Sequence, residues 1–141
     1  MDIRQITPAY FVSPQIDPAD LPAIAEAGFT RVICNRPDAE NPPSHQADAM
    51  AVAAQEAGLD FKVLPLTHQT MTPDNIAAQM GFVADASGKV LAYCASGTRC
   101  TVIWALGQAG TQSVDDILET ARKGGYDLEG LRPTLMAMSG A

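Results

Sequence analysis

Basic side chains are scarce: nine Lys and Arg stand against sixteen Asp and Glu, for a formal net charge of -7. A surface of that sign repels nucleic acid and anionic lipid, which sets both aside as default partners. Cysteine is scarce too. Cys34, Cys94 and Cys100 are odd in number and irregular in spacing, which excludes a disulfide framework. No CxxC pair or Cys/His cluster has zinc-ligand spacing, and the two histidines, His45 and His68, lie far apart. No metal and no cofactor is therefore expected. The N-terminal MDIRQITPAYFVSPQ has no apolar run long enough for a signal peptide, and no stretch approaches a membrane span. The expectation is a soluble, cytoplasmic protein, in which a free thiol is either a small core residue or a working group. Repeats, low-complexity tracts and obvious linkers are also missing.

What is present is an ordinary globular balance. Hydrophobic residues make up 47% and charged residues 18% of 141 positions, enough for one domain (1–141) with its own core. Strand and helix patterns alternate. Tyr10–Val12 reads as a strand, and Asp17-Pro18 opens a helix that stops at Gly28. Thr30–Cys34 is the next strand. Ser44 is expected to cap an Ala-rich helix running to about Ala57, followed by a strand over Phe61–Leu66. Thr72-Pro73 repeats the cap-and-proline device before a helix to about Ala86. Lys89–Tyr93 is nearly continuously apolar, as in a strand buried on both faces. Cys100–Ala109 reads as a buried helix, Ser113 caps another, and Leu128–Met138 closes the chain as a helix. This alternation predicts an α/β fold with a mostly parallel central sheet flanked by helices. Such sheets place ligands at the carboxyl ends of their strands.

Cys94 stands at such an end. It opens the run Cys94-Ala95-Ser96-Gly97-Thr98-Arg99, a tight polar loop leading into a helix. Amides of Ala95, Ser96, Gly97, Thr98 and Arg99 can converge on an anion at a helix N-terminus. Gly97 allows the turn, Ser96 and Thr98 add hydroxyls, and Arg99 can grip two oxygens at once. The same surroundings lower the pKa of a thiol, so the site that binds an anion also arms Cys94 as a nucleophile.

The chain resembles a family of small bacterial phosphatase-like domains that also occurs fused to a metallo-β-lactamase-like hydrolase. That family is related to protein tyrosine and dual-specificity phosphatases. The resemblance rests on Gly28–Arg36, on the strand end Leu64-Pro65-Leu66 and on the Cys94–Arg99 loop. It implies a cysteine phosphatase-like (dual-specificity phosphatase-like) fold, a phosphocysteine on Cys94, phosphate held by Arg99, and no metal. Two features depart from it. Four residues separate Cys94 from Arg99, one fewer than in tyrosine phosphatases, a length common in rhodanese-like sulfurtransferases with a cysteine persulfide. Cys100 also stands where phosphatases usually carry Ser or Thr.

Three readings follow. The first is hydrolysis of phosphate monoesters, phosphotyrosine among them, with a small anionic substrate or a phosphoprotein as partner. The second is sulfur transfer through a Cys94 persulfide. The third is a non-catalytic module that binds an anion or senses persulfide. For the general acid, Asp74 and His68 are the candidates. Asp74 also suits dipole compensation in a first helical turn, and His68 a plain polar loop. Cys34 and Cys100 are possible resolving thiols or small core residues. Among Arg36, Asp38 and Glu40, one ion pair is expected to hold the loop. Trp104, Met50, Met80, Met136 and Met138 read as packing residues, and His45 as exposed. The sequence does not fix the oligomeric state.

Overall fold

The computed structural model describes residues 1–140. Five strands form one sheet in the order β1-β2-β5-β3-β4. They are β1 (Arg4–Gln5), β2 (Tyr10–Ser13), β3 (Phe29–Cys34), β4 (Asp60–Val63) and β5 (Lys89–Tyr93). β1 pairs antiparallel with β2; every other pairing is parallel. The six helices are α1 (Leu21–Glu26), α2 (Ala47–Glu56), α3 (Pro73–Ala84), α4 (Thr98–Gln108), α5 (Val114–Lys123) and α6 (Arg132–Met138).

Strand alternation sorts the core into two layers. Val90 and Ala92 of β5 pack with Tyr10, Val12 and Ile33 under α4, α5 and α6. Leu91 and Tyr93 point the other way, onto Leu21, Ile24, Met50 and Ala54 of α1 and α2. β5 thus lies between two partner strands and two helical layers, which accounts for its continuous apolar run. α4 is buried from Arg99 to Leu106, Trp104 included.

Several boundaries differ from the sequence reading. Ser44 does not cap α2. Pro42 and Pro43 favour a 3-10 turn over Pro43–His45, which moves the helix start to Ala47. The Asp38 carboxylate accepts the Ala47 N–H at 2.8 Å instead. β4 ends at Val63 rather than Leu66, because Pro65 has no N–H for the ladder. The chain still stays beside β3, with Leu64 and Leu66 amides donating to Cys34 and Asn35 carbonyls at 2.9 Å. His45 is tied to Asp17, Nε2 to Oδ1 at 2.5 Å. Met136 and Met138 are exposed, not packed inside, because α6 turns only Leu135 fully into the core.

A buried polar chain links the carboxyl end of β3 to α3, β2 and α4. Asn35 and Gln79 exchange two side-chain hydrogen bonds of 2.9 Å. Gln79 Nε2 also donates to Tyr10 Oη at 3.1 Å, and Tyr10 Oη donates to the Cys100 carbonyl at 2.7 Å. Asn35 Nδ2 further donates to the Leu64 carbonyl at 2.9 Å. Asn35 and Gln79 are both fully buried, so a lost partner leaves a desolvated amide. Gln79→Leu is therefore expected to lower unfolding stability by about 2 kcal/mol. Denaturant unfolding measures this, and a loss below about 0.5 kcal/mol would show the chain to be dispensable.

Candidate active site

β5 ends at Tyr93 and α4 starts at Thr98, so Cys94 to Gly97 must reverse the chain in four residues. Gly97 does this with φ +88°, a left-handed conformation that side chains disfavour. A Cβ there would also stand 2.1 Å from Tyr126 Oη. Tyr126 donates to the Ser96 carbonyl at 3.0 Å and so fastens the loop from outside. The turn points the Gly97 N–H at Cys94 Sγ, 3.1 Å away.

Cys94 is fully buried beneath exposed Ala95 and Ser96. Its pKa is lowered to about 5. The largest cause is hydrogen bonding from the Cys100 side chain, which outweighs burial; N–H groups of Cys100, Ser96 and Gly97 add to it. Cys100 is raised well above its usual range by burial and by the adjacent Cys94, so it stays a thiol and a donor. Cys34 packs on the opposite face of the sheet beside Tyr93, and its thiol donates to the Arg36 carbonyl at 3.4 Å. Burial raises its pKa. Of the two candidate resolving thiols, Cys100 is the one brought to Cys94.

Arg99 is held by a residue that no local motif announces. Its Nη1 donates to Glu40 Oε2 at 2.8 Å and to the Leu66 carbonyl at 2.9 Å, and its Nη2 donates to Glu40 Oε1 at 2.7 Å. Both Nη1 hydrogens are used. The guanidinium also lies beside the Cys94 sulfur and hydrogen-bonds it, so its remaining donors face the nucleophile where an anion would be attacked. Glu40 also pairs with Arg36 at 3.3 Å, as expected within that loop. Arg36 and Arg99 share this carboxylate, and with Cys94 ionised the two positive and two negative charges offset one another locally. The Arg99 contact, followed by that of Arg36, holds the Glu40 pKa below its ordinary 4.5.

A depression of about 330 Å³ opens above this pair, lined by Glu40, Thr67, His68, Gln69, Ser96, Thr98 and Arg99. His68, exposed on its rim, meets the site. Asp74 is exposed in the first turn of α3 and does not line the depression. Its place fits dipole compensation rather than proton donation. Glu40 is the acidic side chain that does line it, and Arg99 keeps it ionised. No group of three or more His, Cys, Asp or Glu that could hold a metal occurs among the described residues. No helix among them is long and apolar enough to cross a membrane.

The domain family described as "Beta-lactamase hydrolase-like protein, phosphatase-like domain" matches residues 2–111. The chain belongs to this family. A Beta-lactamase hydrolase-like protein of Agrobacterium fabrum is 35% identical over 112 residues, covering 78% of this chain and 26% of that protein. The chain thus spans about a quarter of that relative's length. A candidate phosphatase from Neisseria meningitidis superposes with a TM-score of 0.88 at 31% identity, over 98% of this chain and 99% of its own. TpbA of P. aeruginosa, at 16% identity, shares the fold with a TM-score of 0.70 over 100% of this chain and 85% of its own. TpbA has also been crystallised with phosphotyrosine. The domain is phosphatase-like, with the fold of the tyrosine and dual-specificity phosphatases.

The Glu40–Arg99 pair generates a pH signature. The folded Glu40 pKa lies below its ordinary 4.5, so its stabilisation is complete above that value and is lost as pH falls through the folded pKa. Glu40→Gln is expected to be less stable than wild type at pH 7 by up to about 1 kcal/mol, since the pair is only partly shielded from water. The gap should close as the solution is acidified below about pH 4. Paired urea titrations across that range measure it; a gap that persists in acid would deny Glu40 the charge-dependent role.

Proposed function

We propose that the chain works as a single phosphatase-like domain that hydrolyses phosphate monoesters through Cys94. The observation that carries this reading is the Cys94 sulfur at the carboxyl end of the central strand, accepting the Gly97 N–H at 3.1 Å, with its pKa lowered to about 5. The thiolate attacks phosphorus and displaces the alcohol or phenol, forming phosphocysteine; water then cleaves the S–P bond. Arg99 and the amides of 95–99 balance the charge on the equatorial oxygens. Cys100 takes the place of the usual hydroxyl and stabilises the departing thiolate. Cys94 is buried in this structure, so attack requires its sulfur to become accessible to the ester. The substrate is a small anionic ester or a phosphoprotein; phosphotyrosine is bound in the TpbA complex.

Proton delivery decides which esters react. Glu40 is held ionised, so His68 is the donor at the rim. One imidazole at the edge favours esters whose leaving groups need little help. This also supports sulfur transfer as the second reading. Thiosulfate releases sulfite, a leaving group that needs no proton, and the four-residue spacing suits a compact persulfide.

Mass spectrometry of the full chain separates the two readings. With an aryl phosphate, Cys94 should gain one phosphoryl group, and turnover should fall at least about a thousandfold in Cys94→Ser. If thiosulfate instead adds one sulfur that cyanide removes, while aryl phosphates do not react, the phosphatase reading is overturned. Unchanged hydrolysis in Cys94→Ser would overturn it as well.

A further inference from the structure

A second cavity, about 510 Å³, adjoins the first. Val102 and Leu106 of α4, Pro73 and Ile76 of α3 and Leu131 of the turn before α6 give it apolar walls, and no Lys, Arg, Asp or Glu lines it. His68 lines both cavities. The α4 face makes the continuity explicit. Thr98 lines the polar depression, while Val102 and Leu106 follow at four-residue steps on the same face. With a helical rise of 1.5 Å per residue, the apolar floor begins about 6 Å from Thr98 and extends to about 12 Å. Its volume lies in the range of small-molecule pockets, which span about 300–1,000 Å³.

We infer that this groove takes the uncharged alkyl or aryl body of an amphiphilic substrate whose anionic head sits against Arg99 and the 95–99 loop. The occupant is part of a small molecule. Its apolar body starts a few ångströms from its head, because His68 lies between the two cavities. The inference rests on the proposed anion site and narrows its substrate to monoesters with a sizeable hydrocarbon portion. His68 then stands at the junction of head and body, where the bond to the leaving oxygen would break.

The test uses n-alkylphosphonates from methyl to octyl, which carry the head but have no ester bond to hydrolyse. Calorimetry on the full chain is expected to show affinity rising with chain length, up to about fourfold per buried methylene. Thr134→Asp puts a charge at an exposed position of the groove wall. It should abolish the chain-length gain while leaving methylphosphonate binding within about twofold of wild type, since surface charges at that range are screened. Affinity that is flat with length, no binding by any member, or a gain that survives in Thr134→Asp would overturn the inference. Failure of the Cys94 reading shows separately, as hydrolysis unchanged in Cys94→Ser whatever the phosphonates do.

Discussion

The hydrogen bond from Gly97 N–H to Cys94 Sγ is the contact on which the site depends. It forms because β5 and α4 are joined by only four residues and because Gly97 alone can take φ +88° against Tyr126. Closing the turn in this way also brings the α4 N-terminus over the sulfur. The amides of Ser96, Gly97 and Cys100 then point at one atom, and the Cys100 thiol completes the set. A fully buried thiol should resist ionisation, yet here the donors outweigh desolvation. The connection between strand and helix is thus also what produces the thiolate.

A second brace places the positive charge. Glu40 sits on the 3-10 turn after β3 and grips the two terminal nitrogens of Arg99, while the Leu66 carbonyl takes another Nη1 hydrogen. The crossovers after β3 and β4 and the loop and helix after β5 thus meet at one guanidinium. In a chain of net charge -7 this arrangement matters. The general field works against an anion, and the Arg36 and Arg99 guanidiniums are what offset it over a short range. The buried chain Asn35–Gln79–Tyr10–Cys100 ties the end of β3 to α3, β2 and the first turns of α4, so loop, brace and core share supports.

Much of this was legible in the sequence. The apolar run Lys89–Tyr93 marked the central strand, and Cys94 at its end, with Gly97 and Arg99 at fixed offsets, marked the loop. Glu40 was not legible as a partner of Arg99, because 59 residues separate them and the sequence showed only a loop ion pair with Arg36. Gln79 and Tyr10 carry no motif, and their pairing with Asn35 exists only once α3 lies on the sheet. Tyr126 meets the loop through the fold alone. Ser44 looked like a cap since it precedes an Ala-rich run, but Pro42-Pro43 imposed a tighter turn and Asp38 took the cap's place. Methionines on α6 looked like core by residue type, whereas the helix shows one narrow face to the interior.

Everything proposed for the site requires that the loop hold Cys94 as a thiolate. Titrating the ultraviolet absorbance of thiolate in the folded chain, with Cys94→Ser as the blank, tests it most directly, because Cys34 and Cys100 are raised and stay silent through neutral pH. One ionisation is expected, with a midpoint at about 5, absent from the variant. A midpoint near the free-thiol value of about 8.5 would contradict it.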